Sequence, residues 1–349
     1  GTLSIFNDKA LGLGEVVIRK GTLELNECVI ENEIYTGYEG EVIIRNGSSL
    51  ANLTLQNVKS FDADNFRARS STVSITGSSF ESTASFYNLR QTDDETCVRT
   101  GGYLRGDTVS ISSLQGMYVY DSYVNVEYTS PAGHDALISG AHISLVDNGE
   151  ICVFNNQIQL RPETSSSGGI LHASSSMEMS RNGRVVFEGN YLAIEDRSMW
   201  GFYGGMLYAN DIMMEDNNEV AFVDNAFSVR GGMWGGVLNA YNLVLRQNDE
   251  FRIQGNVVSS LYEGDNYNYD DLSGLICSSQ TEIYRNDLFS ISDNEILSER
   301  HVSGGGADLG HAQVNWNDAI ILDNNAILSE QGSVYGAVIR ASTFSVNHN

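Results

Sequence analysis

One asparagine pattern, repeated six times, limits what this chain can fold into more than any other feature. Val153, Phe187, Phe222, Ile253, Ile291 and Leu322 serve as apolar anchors. Three residues after each comes an asparagine: Asn156, Asn190, Asn225, Asn256, Asn294 and Asn325. Five residues before each comes another: Asn148, Asn182, Asn217, Asn248, Asn286 and Asn317. Successive anchors are 34, 35, 31, 38 and 31 residues apart. Two asparagines kept in six of six copies do not follow from composition, and self-similarity at a period of a few tens of residues marks a stack of repeats. A weaker copy is read at Tyr120, with Gln115 and Tyr123 in the asparagine positions.

Between Gly168 and Asn256 the units align as GGILHASSSMEMSRNGRVVFEGN, GGMLYANDIMMEDNNEVAFVDN and GGVLNAYNLVLRQNDEFRIQGN. In the third, the runs Val237 to Ala240, Asn242 to Leu245 and Glu250 to Ile253 are too short for helices and alternate with period two. Three short strands per unit, each stacked on the next unit, make a parallel β-helix, an all-β solenoid of three-strand coils. Residues 1–349 read as one solenoid, with irregular N-terminal coils over 1–100 and regular coils of 31–38 residues over 101–349. About ten coils at ~4.8 Å spacing give a rod about 50 Å long. The core of a unit is constant while its length varies, so the variable residues are assigned to one loop, from the closing asparagine to the next glycine pair.

The fixed positions then acquire physical reasons. Leu171, Leu207, Leu238 and Ile276 occupy one slot. Ala173, Ala209, Ala240 and Ser278 stand two residues on and share the same inward face. Asn148 and its counterparts, each followed by Gly, Asn or Asp, read as left-handed turn residues. The closing asparagines, Asn156 to Asn325, read as a structural ladder in which each amide stacks on the next.

The formal charge is -25. Phosphate binding needs clustered Lys and Arg, so the charge disfavours nucleic acid and anionic lipid, and no nucleic-acid partner is expected. No apolar span is long enough for a membrane-crossing helix, and no direct membrane insertion of this segment is expected. Cys28, Cys97, Cys152 and Cys277 show no zinc-type spacing and suit either buried thiols or one or two disulfides. No cofactor is expected; acidic Asn/Asp turns are the one feature suited to Ca²⁺.

The segment Ala10-Leu11-Gly12, Gly14, Val16-Val17-Ile18 and Gly21-Thr22-Leu23-Glu24-Leu25 resembles the autotransporter-associated strand repeat. That repeat belongs to β-helical passenger regions of very large bacterial surface proteins. It begins here in mid-pattern, so the chain is expected to be a piece of a longer protein. The regular units resemble a second family, the chlamydial polymorphic outer-membrane proteins with their GGAI and FxxN motifs. The matching residues are Gly168-Gly169-Ile170-Leu171 with Phe187-Glu188-Gly189-Asn190, Gly204-Gly205-Met206-Leu207 with Phe222-Val223-Asp224-Asn225, and Gly235-Gly236-Val237-Leu238. The other units replace Phe by Val, Ile or Leu, and Ala follows a glycine pair only at Gly305-Gly306-Ala307, before Asp308. What these resemblances imply is a right-handed, single-stranded β-helix. They also imply display at the bacterial cell surface, after export through the outer membrane as part of a larger autotransporter adhesin.

Many β-helix proteins cleave polysaccharides. Glycoside hydrolysis needs two carboxylates facing one cleft. The NTD and GHG elements of β-helical polygalacturonases are absent from the sequence; Gly133-His134-Asp135, His311 and Asp270-Asp271 are the nearest approaches. No catalytic residue is assigned. The ligand-binding candidates lie in the variable loop: Trp200, Phe202, Tyr203, Trp234, Tyr262, Tyr267 and Tyr269, aromatics interspersed with Asp and Asn. The expected function is an adhesin or interaction scaffold that binds a host glycan or protein, or another copy of itself. A polysaccharide lyase or hydrolase and a purely structural stalk are the alternatives.

Overall fold

A computed structural model describes residues 1–7, 10–12, 16–26, 29–30, 34–45, 49–50, 53–58, 60–64, 67–69, 72–77, 82–87, 89–91, 103–127, 136–161, 166–167, 169–194, 202–230, 232–261, 272–299, 301–330, 332–336 and 338–347. Among them the regular structure is entirely β-strand, in four parallel sheets. One coil shows how they are built. Glu219–Val223 lies in sheet 1, Ala226–Arg230 in sheet 2, Met233–Trp234 in sheet 4 and Leu238–Arg246 in sheet 3. The chain then returns to sheet 1 with Glu250–Gln254, which pairs with Glu219–Val223 one coil away. Consecutive strands thus never pair with each other here; each pairs with its equivalent in the next coil. That is a β-solenoid.

The cross-section widens along the axis. Thr2 pairs with Thr22, Thr22 with Glu41 and Glu41 with Ser60, so the first coils are about twenty residues long. Farther on, Thr83 pairs with Gly116 and Gly116 with Glu150, and the coils exceed thirty. The difference is extra strands. Sheets 1 and 3 start near the N-terminus, sheet 2 starts at Arg90–Gln91 and sheet 4 at Ser166–Ser167. Among the described residues, twelve strands stack in sheet 1, fourteen in sheet 3, eight in sheet 2 and six in sheet 4.

The strand assignments of the regular coils differ from the alternation pattern in two ways. The runs Val237 to Ala240 and Asn242 to Leu245 belong to one strand, Leu238–Arg246. Leu238 and Ala240 point inward, as do Leu243 and Leu245, but both Tyr241 and Asn242 point out. Two successive outward residues shift the phase of the hydrophobic pattern, while the pairing with the next coil keeps the same register on both sides of Tyr241. The third long strand, Val257–Leu261, lies just after the closing asparagine, inside the stretch the sequence assigned to the variable loop. It carries little apolar signal, because its two inward residues are Val258 and Ser260. The variable loop is therefore shorter, running from sheet 2 to sheet 4.

Inward residues form one continuous core from Ile5 to Val314. The anchors stack in register, Val153 on Phe187, Phe222, Ile253, Ile291 and Leu322. Phe187 and Phe222 lie with ring centroids 5.1 Å apart, and Phe251 and Phe289 repeat the arrangement at 5.4 Å. Each such ring removes on the order of 2–3 kcal/mol of apolar surface from water. In the last coil of the described residues, Leu322, Leu328, Phe344 and Val346 are exposed.

Both sets of asparagines form hydrogen-bonded ladders. Asn225 is representative. Its side-chain Nδ2 donates to the Phe187 carbonyl at 2.9 Å and to Asn256 Oδ1 at 2.9 Å, and its backbone N–H donates to the same Oδ1 at 3.0 Å. Its own Oδ1 accepts the same pair of bonds from Asn190. Asn217 does likewise at the other end of the sheet 1 strand, with Met179 and Asn248. All of these side chains are buried. A buried amide costs free energy unless its donors and acceptor are paired, and here the repeat pairs them.

The left-handed residue at each corner precedes the asparagine and is not the asparagine itself. Arg181, Asp216 and Gln247 have φ of 56°, 55° and 54°, directly before Asn182, Asn217 and Asn248. Asp224 (φ 52°) stands in the same relation to Asn225. The reversal in φ turns the next side chain into the corner. The weaker copy also shifts by one residue: Val119, not Tyr120, pairs with the anchor Val153. Leu114 and Ser122 then occupy the asparagine positions, and their backbone N–H groups donate to Asn148 and Asn156 Oδ1.

Candidate ligand-binding site

Sheets 4 and 3 meet at the glycine pair, and two features of the backbone require glycine there. Gly204 and Gly235 have φ of +77° and +74°, a region that costs any residue with a Cβ. A Cβ on Gly205 would lie 1.6 Å from the carbonyl oxygen of Gly236 in the next coil. The corner is consequently tight, and it brings two outward columns side by side. The sheet 4 column runs Tyr203, Trp234, Ser273, Ser303, Tyr335. The sheet 3 column runs His172, Tyr208, Asn239, Cys277, Asp308, Arg340.

Large rings fill the lower part of both columns. Trp234 stacks on Tyr203, with centroids 4.7 Å apart and planes within 14°. Tyr208 stacks on His172 at 5.0 Å. Above these rings the side chains become small: Ser273 and Ser303 follow Trp234, and Asn239 and Cys277 follow Tyr208. Tyr203 stacks on one face of Trp234, and Trp234 lines the space beside Ser273. The change from large to small leaves a notch of about 470 Å³. That is a volume suited to a small ligand. Trp234, Tyr208 and the exposed Tyr241 bound it at one end, and Asp308 and Arg340 at the other. Three coil steps of ~4.8 Å separate the Trp234 and Arg340 backbones, roughly 14 Å.

The polar groups of the notch are held in place. Asn239 Nδ2 donates to the Trp234 carbonyl oxygen at 2.7 Å, tying the column across the corner. Two coils on, the Ser303 hydroxyl spans the same five-residue interval to donate to Asp308 Oδ2 at 2.7 Å, and the Ser273 hydroxyl reaches the same oxygen at 3.4 Å. Arg340 Nη1 lies 3.5 Å from Asp308 Oδ2 and bonds to Ser303. The Arg340 side chain is still 54% exposed, so it presents donors to solvent.

Burial pushes the Cys277 thiol up to about 12, and Asp308 adds to the shift against Ser273 and Arg340. A thiol held protonated is a poor nucleophile at neutral pH. Burial, with Tyr203 nearby, also raises Tyr208 above the usual phenol range, so it remains an O–H donor. Asp308 is the one carboxylate among the described residues that line the notch, whereas glycoside hydrolysis uses two. Among the described residues no group of three or more His, Cys, Asp or Glu is placed to hold a metal ion. The notch brings together aromatic rings, hydroxyls, an amide and one ion pair.

Of the aromatics singled out in the sequence, Tyr203 and Trp234 are at this site. Phe202 is not a ligand contact. In the two-residue strand Phe202–Tyr203 neighbours point to opposite faces, and Phe202 is fully buried in the core. Trp200, Tyr262, Tyr267 and Tyr269 lie outside the described residues, as do Gly133-His134-Asp135, Asp270-Asp271, Cys28 and Cys97. His311 is not among the residues that line the notch; its Nδ1 is hydrogen-bonded to the Thr343 hydroxyl at 2.7 Å. Cys152 and Cys277 are free thiols. Sequence reasoning missed Tyr208, Asn239, Asp308 and Arg340. Each follows the apolar slot residue directly (Leu207, Leu238, Ala307, Ile339), and period-two alternation would have marked these positions as one outward column.

No family model, no curated protein and no solved structure matches this chain. What the fold defines is a class, a parallel β-solenoid of variable coil length with a notch on its side.

Proposed function

We propose that this chain is a binding segment of a surface-displayed, autotransporter-like passenger, and that it acts as an adhesin by holding a glycan in the notch. The observation that carries this reading is Trp234, stacked on Tyr203 and lining the notch beside the small side chains Ser273, Cys277 and Ser278. Sugar rings present flat apolar C–H faces, and an aromatic ring with one free side accepts such a face while nearby hydroxyls, amides and charged groups take up its oxygens. Solenoid architecture suits this role, because the repeat fixes the scaffold and leaves outward columns and loops for contacts.

A glycan microarray tests the reading. The chain is expected to retain a defined subset of glycans, and Trp234→Ala is expected to lose that subset by tenfold or more while its far-UV spectrum is unchanged. Retention of the full pattern by Trp234→Ala would remove the notch as the binding site.

A further inference from the structure

Building on the glycan reading of the notch, we infer that the site selects neutral saccharides and rejects those bearing carboxylate or sulfate groups. The charges at the far wall carry the argument. Asp308 and Arg340 form a pair 3.5 Å apart, so that wall presents a donor and an acceptor with no net charge. Both groups are pre-positioned: Ser303 bonds to each of them, and Ser273 reaches Asp308. A neutral sugar has hydroxyls that both donate and accept, so it satisfies the carboxylate with one hydroxyl and the guanidinium with another. A sugar carboxylate or sulfate only accepts. It would gain Arg340 but face Asp308, and like charges brought together in a recess cost binding energy.

Among the described residues that line the notch, none besides Arg340 is a cation. The floor is Ser273, Cys277 and Ser278, and burial keeps the thiol in its neutral form. The wall opposite is aromatic. The chain as a whole carries -25, and its field repels anions approaching within a screening length of about 8 Å at physiological ionic strength. The acceptor side of Asp308 thus discriminates against anionic sugars, and the exposed donors of Arg340 serve a sugar hydroxyl.

The test compares binding of neutral hexose and N-acetylhexosamine oligosaccharides with their carboxylated and their sulfated counterparts as two separate arms. Wild type is expected to bind neutral members at least tenfold more tightly than either acidic arm. Asp308→Asn keeps the shape and removes the anion, and is expected to reduce that ratio by about tenfold. Arg340→Gln, at an exposed position whose loss does not open the core, is expected to widen it. An acidic arm that binds wild type as tightly as the neutral sugars, with binding still lost in Trp234→Ala, overturns the inference and leaves the glycan reading standing. Absence of binding to all arms overturns both.

Discussion

Asn239 reaches across the Gly235–Gly236 corner and donates its side-chain amide to the carbonyl oxygen of Trp234 at 2.7 Å. The bond links the backbone of Trp234 in one column to the first small polar side chain of the other. It sets the backbone that carries Trp234 at the edge of the notch, so the scaffold and the recognition surface share a hinge point.

The asparagine ladders should dominate stability. Asn225→Ala removes an acceptor used twice by Asn190 and two side-chain donor bonds. Buried groups left unpaired cost about 1–3 kcal/mol each, so the loss should reach at least about 3 kcal/mol. Asn325→Ala, in the half-exposed last coil, should cost less than half as much. Urea unfolding and amide exchange measure both; equal costs would contradict the ladder account.

The two glycines of the corner motif should differ between coils. A Cβ at Gly205 would lie 1.6 Å from a backbone oxygen, whereas at Gly236 the nearest atom is a Val258 methyl at 3.0 Å. A side-chain methyl can shift and a paired backbone cannot. Gly205→Ala should therefore destabilise by about 3 kcal/mol or more, and Gly236→Ala by about 1 kcal/mol. Melting temperatures of the two variants decide it.

On the outer face of sheet 1, Glu219 accepts from Arg184 at 2.7 Å and Arg252 at 2.6 Å. Burial alone would raise its carboxyl, but these two guanidiniums outweigh burial and hold it below the usual range. A carboxyl lowered on folding contributes stability that is complete above its unfolded value of 4.5 and is lost as pH falls through the folded value. Glu219→Gln should be less stable than wild type at pH 7, with the gap narrowing as pH falls below 4.5. Thermal melts between pH 7 and pH 3 measure the gap, and one that widens in acid would contradict the assignment.

Both described cysteines should resist alkylation in the native protein. Burial pushes Cys152 up to about 11 and Cys277 up to about 12. At pH 8 almost no thiolate is present at either site, and thiolate is the reactive form. Iodoacetamide followed by peptide mapping should label them only after denaturation; rapid native labelling of Cys277 would show that the floor of the notch is not as described.

Much of the scaffold was legible because it is periodic. Asn217 and Asn225 repeat at fixed offsets from Phe222, and an inward slot such as Leu238 recurs in every unit. What was not legible depends on register. The strand at Val257–Leu261 hides because its inward pair is Val258 and Ser260, half of it polar. The left-handed position escaped notice because it falls on unlike residues, Arg181, Asp216 and Gln247. The notch was least visible of all. Trp234, Asp308 and Arg340 lie far apart in sequence, in coils of different length and in two neighbouring columns, so their shared notch appears only after the strands are paired. Phe202 shows the converse: its aromatic character suggested a surface role, and a one-residue alternation placed it in the core.

The most direct test of the account is whether a bound glycan sits against Trp234. The chain has three tryptophans, Trp200, Trp234 and Trp316. With Trp200 and Trp316 replaced by Phe, the emission reports on Trp234 alone. Titration with a glycan retained on the array should change that emission saturably, with the same midpoint as binding measured by calorimetry. Unchanged emission while calorimetry still shows binding would place the ligand elsewhere and contradict the central claim.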